Sequence, residues 1–251
     1  LANAVIIFDE VQTLPIKCVH MFNVAINFLV NNCGSTVILC TATQPLLDKV
    51  QPLSRALSIT AQQQIIASTE NVFAKLKRVE IIDERKAEGW TNVEIGNLVQ
   101  QRVKMMGNVL VVVNTKTAAR EIYKQCRQIQ DVAIFHLSTN MCPAHRLQVL
   151  ESVKSCLFNR EPVVCVSTQL IEAGIDISFA SVIRFIAGLD SIAQSAGRCN
   201  RHGEYSKLGQ VLIINSAQES LRSLKDIRLG KKLQNGYLTS IEKILTGFLM
   251  T

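Results

Sequence analysis

Short, uninterrupted apolar runs rich in β-branched residues recur along this chain, and they constrain its fold more than any other feature. Examples are AVIIF at residues 4–8, VLVVV at residues 109–113 and VVCV at residues 163–166. Runs of this kind are typical of strands that are buried on both faces of a parallel sheet. Segments whose apolar residues recur at helical spacing, such as residues 92–106, lie between the runs. The alternation predicts an α/β fold in which helices flank parallel sheets.

The remaining elements follow from the same two patterns. We expect strands at residues 4–8, 36–40, 78–82, 109–113, 132–137, 163–166, 182–186 and 208–215. We expect helices at residues 20–30, 92–106, 116–128 and 145–156, and mostly helix over residues 216–251. The apolar residues that should face the core are Met21, Phe22 and Leu29 of the first helix and Leu147, Val149, Leu150 and Val153 of the fourth.

A length of 251 residues allows one large or two small domains, and an apolar content of 48% is that of an ordinary folded chain rather than a disordered one. Polar residues interrupt the longest apolar runs, which argues against a membrane span. The net charge is +7, and residues 75–251 hold 24 basic and 16 acidic side chains. A basic second part suits a polyanionic partner, although scattered surface lysines would produce the same charge.

The eight cysteines contain no C-x-x-C pair, and neither they nor the four histidines have the spacing of metal ligands. No signal peptide is visible. We therefore expect the cysteines to be reduced packing residues of a cytoplasmic protein.

Two adjacent acids, Asp9 and Glu10, follow the first strand. Ligands of open α/β sheets bind at the carboxyl ends of the strands. There Asp9 would hold Mg²⁺ through water, and Glu10 would orient and deprotonate an attacking water. A pair of acids that caps a helix after a strand is the alternative.

Two arginines, Arg198 and Arg201, lie three residues apart between the last two predicted strands. Residues 194–201 should open a helix, which would place Arg198 and Arg201 on one face. Two guanidiniums on one face are costly in a core and useful for a polyphosphate. A surface pair on a helix is the alternative.

Four segments resemble the motifs of superfamily-two helicases, in the right order. IIFDEVQ at residues 6–12 resembles motif II, TATQP at residues 41–45 resembles motif III, TQLIEAGIDI at residues 168–177 resembles motif V, and QSAGRCNR at residues 194–201 resembles motif VI. The variants DEVQ, TATQP and AGRCNRHGE look most like the CRISPR-associated helicase–nuclease of type I systems. A DEAD-box RNA helicase would show DEAD and SAT instead.

The resemblance implies a P-loop NTPase-like (RecA-like) fold. Residues 1–75 would be the C-terminal part of a first domain, residues 76–215 a complete second domain, and residues 216–251 a helical extension. It also implies an ATP-dependent translocase or helicase on single-stranded DNA, with ATP and Mg²⁺ as cofactors, in a prokaryotic antiviral defence system. Its partners would be the guide-RNA surveillance complex, the N-terminal half of the helicase and an HD nuclease domain.

The resemblance also assigns roles to residues. Gln194, Arg198 and Arg201 would reach the γ-phosphate, although Ser195 replaces an arginine that many related helicases have. Thr41 and Thr43 would couple hydrolysis to domain movement, and Gly174 and Asp176 would lie near the nucleotide or, for Asp176, near the arginines. The residues expected to contact nucleic acid are Asn114, Thr115, Lys116, His136, Ser138 and Thr168.

Several alternatives stay open from the residues alone. Thr41 and Thr43 would otherwise cap a helix beginning at Pro45, and Asn114 with Thr115 would cap the helix at 116–128. His136 would otherwise bond a loop carbonyl. The basic side chains after residue 216 track a strand or form a solvated face; they are Arg222, Lys225, Arg228, Lys231 and Lys232.

Two motifs of the family are absent from this sequence. It holds no G-x-x-x-x-G-K-[ST] segment and no HD nuclease motif. We therefore expect this segment alone neither to hydrolyse ATP well nor to cut DNA, and its first sheet to have an open edge. An RNA or recombination helicase, or a non-hydrolysing split-gene remnant that acts as a binding module, are the other hypotheses.

Overall fold

The computed structural model describes residues 1–41, 45–65, 77–171 and 174–219. The chain divides into two compact units, Leu1–Ser68 and Thr69–Thr251. Three expectations lie outside the described residues: the domain boundary after residue 75, the position of Thr43, and the helix with its basic side chains beyond residue 219.

The first unit is a β-α-β arrangement. Strand β1 (Val5–Phe8) pairs in parallel with strand β2 (Thr36–Leu39), and helix α1 (Val19–Cys33) connects them. The helix ends at Gly34, which has a left-handed φ of 62° and donates its N–H to the carbonyl of Leu29. Glycine adopts this conformation without a Cβ penalty, which is why the helix ends here, a few residues beyond the predicted end at residue 30.

Three sequence expectations about this unit are wrong. Val5 and Ile7 of β1 are 69% and 64% exposed, so the strand is not buried on both faces. Met21 of α1 is also exposed and does not face the core. The helix covers one face of the two-stranded sheet, where Phe8 meets Phe22, and alternate strand residues point away from it. A helix beginning at Pro45 is not observed either, because residues 45–50 form turns.

The second unit is built on a six-stranded sheet with the order β3-β8-β7-β4-β6-β5, in which every neighbouring pair is parallel. The strands are β3 (Val79–Asp83), β4 (Asn108–Val112), β5 (Ala133–Leu137), β6 (Val163–Ser167), β7 (Ser181–Phe185) and β8 (Gly209–Ile214). The helices are α2 (Asn92–Met106), α3 (Lys116–Cys126), α4 (Pro143–Phe158) and α5 (Leu189–Ala196). All the predicted strands are thus present.

The helices cover both faces of this sheet. Ile95 and Val99 of α2 pack with Val109 and Val111 on one face, whereas Leu150 of α4 packs with the other face. This explains why β4, β6 and β7 have no exposed residue and read as continuous apolar runs. The expectation that Leu147 faces the core is wrong, since Leu147 is exposed on α4.

All eight cysteines are free. Four of them are buried, namely Cys126, Cys156, Cys165 and Cys199, and so pack as expected. Cys142 is exposed, which contradicts a packing role for that residue. Among the described residues, no three histidine, cysteine or acidic side chains lie close enough to hold a metal ion, and no helix has the length and apolarity needed to cross a membrane.

Candidate functional site

The acidic pair of the first unit lies where strand β1 ends. The backbone N–H of Glu10 donates to Oδ1 of Asp9 at 3.0 Å. Glu10 itself has φ 55° and ψ 41°, a left-handed conformation that costs a non-glycine residue about 1 kcal/mol or more. Both residues are exposed. The strained turn therefore holds two carboxylates in solvent at the carboxyl end of a parallel strand.

A chain of hydrogen bonds connects this pair to the end of the neighbouring strand. Oγ1 of Thr41, which lies two residues after β2, donates to Oε1 of Gln12 at 2.5 Å. The side-chain amide of Gln12 in turn donates to Oε2 of Glu10. The hydroxyl of motif III and the carboxylate of motif II thus share one amide. The sequence alone gives Gln12 no role beyond its place in the motif.

The donors of this edge fit a hydrated magnesium ion. Carboxylate oxygens are the ligands that Mg²⁺ prefers, and the ion usually keeps several waters. Asp9 accepts one backbone hydrogen bond on Oδ1 and lies in solvent, so it has the exposure that such an ion requires. A shallow depression beside the pair is lined by Phe8, Val11 and Phe22.

In the second unit, the residues expected to bind nucleic acid follow three neighbouring strands. Asn114 follows β4, Ser138 follows β5 and Thr168 follows β6, and these strands lie side by side in the order β4-β6-β5. The carboxyl ends of parallel strands meet at one edge of a sheet. The fold therefore brings these three residues to the same edge, where each of them is largely buried.

Asn114 and Thr115 have structural contacts at this edge. Thr115 is the N-cap of α3, and its Oγ1 accepts the N–H of Ala118 at 3.1 Å. Asn114 is buried, and its Nδ2 donates to the carbonyl of Ile186 at 3.0 Å. The capping alternative is therefore correct for Thr115.

His136 does not bond a loop carbonyl through Nε2. That atom is buried and has no hydrogen-bond partner among the described residues. The imidazole stacks on Tyr123, with 5.4 Å between the ring centroids. Burial lowers the pKa of His136, so the neutral ring is favoured at neutral pH.

The motif VI segment is not the start of a helix. Helix α5 begins at Leu189 and ends at Ala196, so residues 197–201 lie beyond its end. The backbone that follows the helix pairs with Phe179. The N–H of Phe179 donates to the carbonyl of Arg198 at 2.9 Å, and its carbonyl accepts the N–H of Asn200 at 2.8 Å. This bridge excludes further helical turns. The prediction that Arg198 and Arg201 share one helix face is wrong for that reason.

The two arginines have opposite environments. Arg198 is 6% exposed, and its Nε donates to the carbonyl of Ile171 at 3.0 Å. The side chain of Arg201 is 37% exposed, and its Nε lies 2.9 Å from Oδ1 of Asp176. Nε2 of His202 lies 3.3 Å from the same oxygen. Asp176 thus lies beside an arginine, which is one of the two expected positions.

The remaining expected residues have fewer contacts. Gln194 is half-buried in the last turn of α5. Gly174 has a φ of 70°, and a Cβ built on it would meet no atom within 4 Å. The backbone conformation, rather than a close neighbour, is what requires glycine here.

Arg201 and the hydroxyl-rich edge lie at opposite ends of the strands. The N–H of Arg201 donates to Oγ of Ser178, which precedes β7. Its carbonyl accepts a hydrogen bond from Arg78, which directly precedes β3. Arg201 therefore lies at the amino edge of the sheet, whereas Thr168 lies at the carboxyl edge. The fold does not bring all the expected residues of this unit together.

Two further residues at the carboxyl edge were missed by sequence reasoning. Arg184 is 0% exposed, and it donates to Oδ1 of Asn114 at 2.8 Å and to Oγ of Ser191 at 2.7 Å. A charge inside the apolar run VIRFI was a visible signal for it. The other residue, Glu219, contacts Asn114 and Thr115 and had no signal in the sequence.

Comparisons with known proteins agree with the motifs. Residues 105–204 match the model of a family described as CRISPR-associated nuclease/helicase Cas3, C-terminal. The Cas3 of Haloferax volcanii is 39% identical over 84 residues, which cover 34% of this chain and 9% of that protein. The Cas3 of Methanothermobacter thermautotrophicus is 26% identical over 231 residues, which cover 88% of this chain and 27% of that protein.

The fold is also that of a solved Cas3 structure. The crystal structure of T. fusca Cas3-AMPPNP superposes with a TM-score of 0.66 at 16% identity, covering 96% of this chain and 33% of that one. The RecA-like fold class is therefore confirmed. The chain is therefore similar to the C-terminal part of the CRISPR-associated nuclease/helicase Cas3, in agreement with the resemblance of its four motifs.

Proposed function

We propose that the chain is the motor segment of an ATP-dependent translocase that moves along single-stranded DNA in a type I CRISPR defence system. The observation that carries this proposal is the hydrogen-bond chain from Thr41 through Gln12 to Glu10, which links the ends of two parallel strands at an acidic pair. One solved structure with the same fold is that of T. fusca Cas3-AMPPNP, and AMPPNP is an ATP analogue, which supports ATP as the nucleotide.

The first unit would supply the metal and water chemistry. Asp9 would hold hydrated Mg²⁺ on the phosphates of ATP, and the ion would neutralise the charge on them. Glu10 would accept the proton of the attacking water, and the amide of Gln12 would fix its carboxylate. Because Thr41 bonds the same amide, a shift of the chain after β2 would reorient Glu10.

In the second unit, we assign the role of arginine finger to Arg201 rather than to Arg198. Arg201 is exposed, and its partner Asp176 is also at the surface, so the guanidinium can exchange the carboxylate for a phosphate. Arg198 is buried and bonded to the carbonyl of Ile171, so it would hold the motif in position without touching the nucleotide. Gln194, in the turn before it, would join Arg201 at the nucleotide.

The carboxyl edge of the second sheet would contact the sugar-phosphate backbone of the strand. Thr168, Ser138 and the start of α3 offer hydroxyls and backbone N–H groups, which suit phosphate and carry no base preference. A surveillance complex that reads sequence by guide pairing leaves the motor with backbone contacts alone. We propose that complex, together with an N-terminal helicase half and an HD nuclease domain, as the partners of this segment.

The test is DNA-stimulated ATP hydrolysis by a full-length protein that carries this segment. Arg201→Ala should lower kcat by roughly a thousand-fold, because arginine fingers stabilise the charge of the transferred phosphoryl group. Arg120→Ala is the matched control, since Arg120 is an exposed arginine of α3 and should leave kcat near that of the wild type. Normal turnover by Arg201→Ala would exclude the assigned role. Stronger stimulation by RNA than by DNA would favour an RNA helicase instead.

A further inference from the structure

The segment that follows the last strand is tied across the starts of two helices. We call residues 215–219 the strap. Its Ala217 donates its N–H to the carbonyl of Trp90 at 2.9 Å, and Ser216 forms a parallel bridge with the same residue. Oε1 of Gln218 accepts the N–H of Asn92, the first residue of α2, at 2.8 Å. The strap therefore places an acceptor side chain at one helix start already.

The last residue of the strap, Glu219, occupies the start of α3. Its Oε1 accepts the backbone N–H of Asn114 at 2.9 Å and that of Thr115 at 3.0 Å. Its Oε2 accepts Nδ2 of Asn114 at 2.8 Å, and Oγ1 of Thr115 lies 3.3 Å from Oε1. Two backbone donors, an amide and a hydroxyl thus converge on one carboxylate.

A buried cation stands behind this cradle. The guanidinium of Arg184 donates to Oδ1 of Asn114, the residue whose Nδ2 donates to Glu219. Arg184 is 0% exposed, so its charge is screened only weakly by water. The partial positive charge of the helix N-terminus adds to it. The position of the carboxylate is therefore favourable for any oxyanion of similar size.

We propose that Glu219 holds the place of a nucleic-acid phosphate and that strand binding at Asn114 and Thr115 requires Glu219 to leave. A carboxylate and a phosphate each present oxygens to paired N–H donors, but one set of donors cannot serve both. The bound strap is thus an autoinhibitory contact over part of the strand site. The inference rests on the proposed function, which puts a sugar-phosphate backbone at these two residues.

Two variants of the whole chain test the contact. Glu219→Gln removes the charge and keeps the shape, and Glu219→Ala removes both. The measurement is the anisotropy of a fluorescent oligothymidylate titrated with protein at several salt concentrations. We expect Glu219→Ala to bind about tenfold more tightly than the wild type, with Glu219→Gln in between, because one competing anion is lost. The salt slope of Glu219→Ala should steepen by about 0.7, the contribution of one more phosphate contact.

Glu80→Gln is the control for net charge, since Glu80 is an exposed residue near the amino end of β3. It should leave affinity within about twofold of the wild type, as expected for a screened surface charge. If the Glu219 variants bind with the same affinity as the wild type and differ only in a lower midpoint of thermal unfolding, Glu219 is a helix cap. That result would overturn the autoinhibitory contact but not the proposed strand site. Absence of oligonucleotide binding by the wild type and both variants would overturn the proposed strand site as well.

Discussion

Gly89 is the residue on which the position of the strap depends most directly. It has a φ of 78°, and a Cβ built on it would lie 2.7 Å from the backbone N and 2.9 Å from the Cα of Ala217. Backbone atoms cannot move aside as the end of a long side chain can. We therefore expect Gly89→Ala either to strain the second unit or to push the strap off Trp90.

The size of the effect follows from two contributions. A left-handed alanine costs about 1 kcal/mol, and overpacking against fixed atoms adds about 1–3 kcal/mol. If the strap leaves instead, the lost hydrogen bonds to Trp90, Asn92 and Asn114 cost about 1 kcal/mol each. Either route should lower the free energy of unfolding by about 2–4 kcal/mol. With a urea m-value of about 2 kcal/mol/M, the midpoint should fall by about 1–2 M.

Gly107→Ala separates the two contributions. Gly107 has a φ of 81°, close to that of Gly89, but a Cβ built there meets no atom within 4 Å. This control therefore contains the strain of a positive φ in a residue other than glycine, and the entropy change of glycine to alanine, without the steric clash. Its midpoint should fall by only about 0.5 M. The difference between the two variants measures the contact with Ala217.

The chain provides its own local reporter for this experiment. Trp90 is its single tryptophan, and its Nε1 donates to the carbonyl of Glu84 at 2.5 Å. Unfolding followed by tryptophan emission therefore reports on the second unit, and the emission of the native state reports on the strap. Equal midpoints for Gly89→Ala and Gly107→Ala, with unchanged native emission of Trp90, would refute the reasoning.

Three further predictions concern other groups. Asp176→Ala should leave DNA-stimulated kcat of the full-length protein within about tenfold of the wild type, because the proposed finger Arg201 gives up this carboxylate when it binds a phosphate, and it should change the unfolding midpoint little, since the pair is exposed. A hydrogen bond from Lys86, and then the capping contacts with Thr91, lower the pKa of Glu94 to about 2. The stability that the Glu94 carboxylate contributes should therefore be lost as the pH falls from 4.5 towards 2, and over that range the urea midpoint should fall less for Glu94→Gln than for the wild type. Iodoacetamide should label exposed Cys142 in the native protein and Cys165 only after unfolding, as mass spectrometry would show, because burial raises the pKa of the Cys165 thiol to about 12.

The strands were predictable because their signal is local. A strand buried on both faces must be apolar along its whole length, so β4 and β6 read as apolar runs without any knowledge of their neighbours. Helix faces were less predictable. Met21 and Leu147 lie at helical spacing with core residues, yet both are exposed, because periodicity alone does not fix the edge of the covered face.

The site residues divide in the same way. Asp9 and Thr168 could be proposed from the sequence because each belongs to a motif near the end of a predicted strand, and sheet topology then decides where they lie. Glu219 was not found because its partner, Asn114, is 105 residues away and nothing near it in sequence marks the contact. The left-handed conformation of Glu10 is also invisible in the sequence, since glutamate has no preference for it.

The bridge at Phe179 explains how one short motif gives its two arginines different positions. A helix continued through residues 198–201 would put both side chains on one face, and both would then be either buried or exposed. By pairing with Arg198 and Asn200, Phe179 draws the backbone into extended contact with the start of β7. Arg198 is then turned inward onto the carbonyl of Ile171, whereas Arg201 is left beside Asp176.

Ile171 also connects this motif to the strand edge. Its N–H donates to the carbonyl of Thr168 at 3.4 Å, and its own carbonyl accepts the guanidinium of Arg198. One residue therefore touches both the motif expected to bind nucleic acid and the motif that carries Arg201. Chains of packed side chains and hydrogen bonds are the contacts through which one site can influence another. Arg198 belongs to such a chain because it is buried and bonded to a main-chain carbonyl, whereas Arg201 bonds a carboxylate at the surface, so the two arginines cannot have the same role.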